Sequence, residues 1–200
     1  MPLGNLISAA TGACVDALRP YVGCDWRAVQ AADLTWSCWD TALHVVDDLY
    51  FYAVQMINGS PQREYLTTEL ALDDQTTVAG LLASIPVHGE LLRRAVLCAD
   101  PGDRAYHVYG VFDHEGFAAM SVVETLVHTY DILRGLNPVA SWRPPAKLAA
   151  PVLQRLFPAA PAENSSEVLL YCCGRRALGE LARLETWRWD GRVRDDEAFR

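Results

Sequence analysis

The sequence predicts an all-α fold, a bundle of long helices with a short helical extension at its C-terminal end. Three observations predict it. Four long segments carry apolar residues at helical spacing, and few segments alternate with period two. Short connections join the long segments, as in helical bundles. Strand–helix alternation and a glycine-rich phosphate loop are both missing, which argues against a doubly wound nucleotide-binding sheet. Two hundred residues, 51% hydrophobic and 21% charged, suit one domain over 1–200, with its core at about 3–140 and the extension at 141–200.

The first helix is expected over about 3–20, stopped by Pro20. The second runs from near Trp36 to Ile57, where "NGSP" supplies Gly and Pro. Residues 60–75 are polar, and "DDQTT" offers a helix start. A third helix covers about 77–99, with a bend expected at Pro86, and "ADPGDR" is a turn. Residues 105–112 are ambiguous. The fourth helix starts at Asp113, read as its N-cap, and ends at Leu136 before "NP". After the linker "SWRPP", helical stretches are expected at about 146–156 and 165–177. The end, with Trp187 and Trp189 alternating with polar residues, reads as a short strand or an extended arm packed on the bundle.

A net charge of −8 makes nucleic acid and anionic membrane poor partners. Lys147 is the one lysine among 17 basic residues, a skew typical of GC-rich genomes. The six cysteines form no Cys-x-x-Cys pair, and their scatter fits a reducing cytosol. "SAATGACV" is similar to a lipoprotein cleavage site but lacks a basic residue before it. No apolar run reaches the ~18 residues a membrane helix needs. These observations point to a cytoplasmic location and to no nucleic-acid or membrane partner; a small-molecule substrate and a homodimer are compatible with them.

The chemistry concentrates in "FAAMSVVETLVHTYDIL" (117–133), which is apolar nearly all round and therefore buried. Glu124 and His128 share a face at i and i+4, with Met120, Ser121 and Asp131 near the same stripe. A buried carboxylate is costly unless paired or coordinated. Taken alone, the pair fits an ordinary hydrogen-bonded helix pair as well as a metal site. The second helix, "WDTALHVVDDLYFYAVQMI" (39–57), adds His44, with Asp47, Asp48 and Phe51 on its face. Two facing helices can thus offer His44, Glu124 and His128, three N/O ligands with an open fourth position, as in a catalytic zinc site. Asp48, four residues beyond His44, and Asp131, three beyond His128, are candidates to accept the second imidazole N–H from outside the metal. His107 reads first as a loop residue and Asp113 as an N-cap, with the pocket mouth as the alternative for either. Trp36 and Trp39 read as core or pocket wall, and Cys38 as a buried small hydrophobe or, where it faces the metal pocket, a reactive thiol. His88 and His114 read as surface residues, and Arg175 and Arg176 as surface ion pairs first and a bidentate clamp on an anionic substrate carboxylate second.

"WSCWDTALHVVDDLYFYA", "GFAAMSVVETLVHTYDILRGL", "LQRLFP" and "LLYCCGRRAL" together resemble the DinB-like bundles of the mycothiol-dependent maleylpyruvate isomerase group, over roughly residues 20–176. The resemblance implies a four-helix bundle in up-down-down-up order. It implies a divalent metal, usually zinc, on His44, Glu124 and His128. It further implies a metal-activated thiolate, that of mycothiol in the actinobacterial isomerases, attacking a small electrophile in isomerisation or S-transfer. A metal suits this chemistry because a free thiol near pKa ~8.5 is mostly protonated at neutral pH, and coordination deprotonates it. The chain departs from the fuller isomerases in its short tail after 140, which argues against maleylpyruvate as substrate. Two other readings stay open: a metal-dependent hydrolase, lyase or cyclase that uses no thiol, and a non-enzymatic metal-binding bundle.

Overall fold

Capping side chains decide where most of the helices begin, because the first N–H groups of a helix lack partners of their own. The structure, a computed structural model, describes residues 3–59, 64–68 and 70–193. Among these residues it holds six helices and one two-stranded hairpin, so the chain is mostly helical, as expected. Helix α1 spans Leu3–Leu18 and passes into one 3₁₀ turn, Arg19–Tyr21, at Pro20. Helix α2, Cys38–Asn58, starts where Ser37 accepts from the Asp40 N–H, two residues later than Trp36 suggested. Helix α3, Val78–Cys98, is capped by Thr77 and continues through Pro86. Helix α4, His114–Leu136, is capped by Asp113, as the sequence proposes.

The ambiguous segment is an antiparallel hairpin, β1 Ala105–His107 with β2 Gly110–Phe112. Helices α5, Ala146–Leu156, and α6, Ser165–Cys172, follow. The last helix stops five residues before the expected 177 because Gly174 takes φ +66 and the Arg175 N–H turns back to the Leu170 carbonyl at 2.8 Å. A side chain at Gly174 would also collide with Trp187 Cδ1 at 2.7 Å. Beyond it the chain is an extended arm, not a strand. Trp189 is buried in the core, and the Asp190 N–H bonds Leu156 O at 2.8 Å.

Helices α1 and α2 each pack on both α3 and α4, and α5 and α6 pack against α4 from the other side. Helix α4 is therefore surrounded, and 16 of its 23 residues are buried. Its hydroxyls are satisfied by its own backbone: Ser121, Thr125 and Thr129 donate to the carbonyls of Ala118, Ser121 and Thr125 at 2.9, 2.7 and 2.6 Å. No helix is long and apolar enough to cross a membrane among the described residues.

The loop between α1 and α2 is held against the C-terminal end of α4. Cys38 donates its backbone N–H to Val29 O at 2.7 Å, and Ala31 donates to Trp36 O at 3.0 Å. The loop reaches α4 at Gly135, where a methyl group would run into Gln30 O and stand 3.1 Å from Ala31 Cα. Replacing Gly135 by Ala is therefore expected to destabilise the protein by about 1–3 kcal/mol through overpacking. Gly12, in α1 with open space around it, is the control: Gly12→Ala is expected to stabilise by about 0.5–1 kcal/mol. Urea unfolding of the two variants checks the contrast.

Candidate metal centre

The periodicity of α2 and α4 brings five polar side chains to one place. Glu124 Oε2 lies 3.0 Å from His128 Nε2 on its own helix and 3.6 Å from His44 Nε2 on α2. The two imidazoles meet edge to face, centroids 5.1 Å apart. One donor atom from each of His44, Glu124 and His128 lies within 4.8 Å of the others, so the group could hold a metal ion. The donor set fits one. Metal bonds of about 2.0 Å in tetrahedral geometry place neighbouring ligand atoms about 3.3 Å apart, and the distances of 3.0 and 3.6 Å bracket that value. The side chains paired with Glu124 are both imidazoles, neither of which is a permanent cation.

Behind His128, Asp131 Oδ2 sits 3.0 Å from Nδ1. This is the outer partner that the sequence offers, and it fixes Nδ1 as the protonated nitrogen and leaves Nε2 for the metal. Asp131 is 1% exposed and is held in turn by Arg175, whose Nε lies 3.1 Å from both carboxylate oxygens and whose Nη2 lies 2.8 Å from Oδ2. Arg175 Nη1 donates to Cys173 O at 2.8 Å. Arg175 is thus not a surface residue. Arg176 does make the expected peripheral pair, with Glu167 at 3.0 Å.

Asp48 corrects the expectation. It is not behind His44 but beside the same nitrogen that faces Glu124, with Oδ2 3.3 Å from His44 Nε2. The i to i+4 reach carries the carboxylate toward the site because α2 turns that face onto α4. Asp48 therefore borders the open side of the ligand group.

Burial and mutual charge set the protonation states. Burial alone would push His128 down, but Asp131 and Glu124 outweigh it and hold the imidazole up at about 9. For His44 the pull of Glu124 and Asp48 likewise exceeds the effect of burial and raises it. Burial would raise Glu124, and the two imidazoles hold it below the usual carboxylate range instead. Asp48 is pushed up to about 7 by burial and by the charge of Glu124. Asp131 stays low, because His128 and Arg175 overcome its burial.

The ligand group opens into a cavity of about 450 Å³. Its wall includes Leu34, Thr35 and Trp36 from the first loop, Tyr52 from α2, Val123 and Val127 from α4, and His107, Val108 and Tyr109 from the hairpin. Arg175, Trp187 and Trp189 close it from the C-terminal arm. Trp36 is a pocket wall, with its ring 4.9 Å from that of His44, while Trp39 belongs to the core. His107 reaches the cavity, the lesser of the two readings that the sequence offers for it. Asp47 faces a different cleft with Asp40 and Leu43. Phe51 packs on Tyr65, Met120 lies in the core, and His88 and His114 are half-buried away from the site.

No cysteine lines the cavity among the described residues, and the buried thiols are poor nucleophiles. Cys38 is buried, faces Ile132 O at 3.7 Å and is pushed up to about 12, chiefly by burial. Cys14 and Cys172 are pushed up to about 11 by burial. Compared with protein-family models, curated proteins and solved structures, the chain matches none of them.

Two outcomes are expected. Replacing Arg175 by Met leaves Asp131 buried with half its partners and is expected to weaken zinc binding about 10–100-fold, with Arg175→Lys in between; competition titration against a chelating dye measures this. In the metal-free protein, His128 binds its proton more tightly when folded (about 9) than when unfolded (about 6.5). Its stabilisation is complete below the unfolded value and is lost as pH rises through the folded one. Thermal melts of chelator-treated protein should show Tm falling between pH 6.5 and 9. Zinc should reverse that slope, since a metal requires the neutral imidazole.

Proposed function

We propose that the chain is a metal-dependent enzyme of the mycothiol-dependent isomerase and thiol S-transferase type, built on a DinB-like four-helix bundle in up-down-down-up order. In this reading zinc is held by His44, Glu124 and His128, and a small-molecule thiol is the cosubstrate. The observation that carries it is a three-donor group from two helices that opens on one side into an aromatic-walled cavity. A structural metal would have four closed ligands, whereas three with an open side is the pattern of a catalytic one.

When bound, the metal supplies the acidity that turns a thiol into a thiolate at neutral pH. The rest of the chemistry falls to the chain. His44 and His128 present Nε2 to the ion, and Asp131 keeps the proton of His128 on Nδ1, on the far side of the ring. Glu124 would offset part of the charge of a divalent ion held between it and the two imidazoles. Asp48 stands at the open side, where its carboxylate can take the proton that the thiol gives up. Trp36, Tyr109, Trp187 and Trp189 limit water in the cavity and hold an apolar electrophile against the thiolate.

The same carboxylate beside an open metal position suits a second reading. Asp48 can accept a proton from water as well as from a thiol, which gives a hydrolase or lyase that uses no thiol.

Protein purified without contact with nickel resin should carry or take up one zinc per chain. His44→Ala and His128→Ala should each lose it while far-UV circular dichroism stays helical. The cobalt-substituted protein should develop a thiolate-to-cobalt absorption band in the near-UV on addition of mycothiol. Cobalt binding without that band removes the thiol reading and leaves the second. Failure to bind either metal removes both.

A further inference from the structure

The hairpin serves the cavity with one side chain whose orientation and proton are both fixed by the backbone. His107 closes β1, and the Tyr109 N–H donates to its Nδ1 at 3.2 Å. A ring nitrogen that accepts cannot carry the hydrogen of a neutral imidazole, so the hydrogen sits on Nε2. The ring is 7% exposed and cannot turn freely. Phe112 stacks on it at 5.4 Å, Tyr109 meets it at 5.3 Å, and Tyr52 stands edge-on at 6.0 Å. No described residue accepts a hydrogen bond from Nε2, and Nε2 is not among the atoms sealed inside the protein without a partner. The space that His107 lines is the cavity shared with His44, Glu124 and His128.

We infer that His107 is a fixed neutral hydrogen-bond donor to a substrate oxygen, and that the substrate class is a small molecule with an aromatic or otherwise apolar body bearing a carbonyl-type oxygen. This rests on the reading of the cavity as the substrate site of a metal enzyme. Four observations support it. The donor has a direction, set by the hairpin. No described residue competes for it. Burial holds the ring down at about 4, against the opposing pull of Glu124, so at neutral pH it offers a hydrogen bond without a charge. A neutral imidazole polarises a carbonyl without protonating it, which suits an electrophile awaiting a nucleophile. The surroundings specify the rest of the molecule, because Val108, Tyr109, Val123, Trp187 and Trp189 offer apolar surface beside the donor.

Arg175 is the one guanidinium that the described residues bring to the cavity, and three of its five N–H groups are committed, Nε and one Nη2 hydrogen to Asp131 and one Nη1 hydrogen to Cys173 O. Among the described residues no second cation lines the cavity for a doubly charged anion, and His107, fixed by the hairpin, is the better-placed reader of an uncharged oxygen.

The test uses benzohydroxamate and acetohydroxamate, which bind zinc through their oxygens and differ in their apolar body. On the zinc-loaded protein, calorimetry should find benzohydroxamate tighter by at least about ten-fold, the value of burying one ring. His107→Phe keeps the aromatic packing and removes the donor. It should weaken benzohydroxamate by about five-fold with zinc affinity unchanged. His107→Gln, whose amide nitrogen can replace Nε2, should restore the parent affinity. Where His107→Phe does not fold, the contrast between His107→Gln and His107→Asn serves, since the Asn amide falls short of the cavity and should bind as weakly as a variant without the donor. Long-range ¹H–¹⁵N correlation spectra of the metal-free protein should show His107 as the Nε2–H tautomer at pH 7. A Nδ1–H or doubly protonated ring overturns the inference. So does a His107→Phe variant that binds benzohydroxamate as tightly as the parent, or equal affinity for the two hydroxamates. A chain that takes up no zinc overturns the metal reading alone, because the tautomer is read without metal.

Discussion

The site depends on one constraint: a carboxylate placed on a helix that is surrounded on every side. Helix α4 contacts α1, α2, α3, α5 and α6, and the neighbours of Glu124 along it are Val122, Val123, Thr125 and Leu126, all buried. A charge there is tolerated only with partners. The helix itself supplies one, His128, a turn away at 3.0 Å. The second, His44, must come from another element, and only a helix packed directly on α4 can deliver it at 3.6 Å. The packing of α2 on α4 and the existence of the ligand group are therefore one requirement seen from two sides. A cation between the three donors would relieve the same constraint more fully than two imidazoles can, since it needs no proton from either ring.

From Glu124 the partners continue outward in alternating sign. His128 is held by Asp131, Asp131 by Arg175, and Arg175 by the carbonyl of Cys173. Each step exists because the previous group is too buried to be left alone. Asp131 shows this best: at 1% exposure its oxygens would each cost about 1–3 kcal/mol unpaired, and the guanidinium meets both. This gives the C-terminal arm a reason to fold where it does. Gly174 at φ +66 turns the chain, Arg175 enters the chain of partners, and Trp187 and Trp189 then cover the cavity. The arm is part of the site and not an appendage to the helices.

These dependencies explain what was legible in the sequence. The long helices were readable because period and caps agree: Thr77 after "DDQT" and Asp113 before "HEGF" both cap as expected. His44, Glu124 and His128 were readable because buried charge on an apolar helix is conspicuous. Asp131 followed from its spacing. The hairpin was not readable, because two strands of three residues are too short to display a period. Arg175 was invisible for a different reason. Its partner lies 44 residues earlier, and nothing near "CCGRR" marks which arginine turns inward. Asp48 was found but given the wrong side of His44, since spacing fixes which face a residue shares but not which ring nitrogen it meets. Trp36 and Trp39, three residues apart, differ by the one turn that Ser37 starts, which sends Trp39 into the core and leaves Trp36 on the loop that borders the cavity.

The charges around the cavity argue about its contents. The ligand group and Asp48 bring two carboxylates, and a divalent ion would leave them together near neutrality. The one guanidinium that the described residues place on the wall holds Asp131, and burial holds His107 down toward its neutral form. Among the described residues, a wall balanced in this way has no further cation to compensate a second negative charge. One anionic sulfur at the metal would already tip the balance, and the partner that meets it should then be uncharged. The surface that remains among the described residues is largely aromatic and aliphatic, with the directed N–H of His107 beside it. Such a lining favours a molecule that is held by its apolar body and oriented by one oxygen, and it disfavours the dicarboxylates that a wall of free arginines would select.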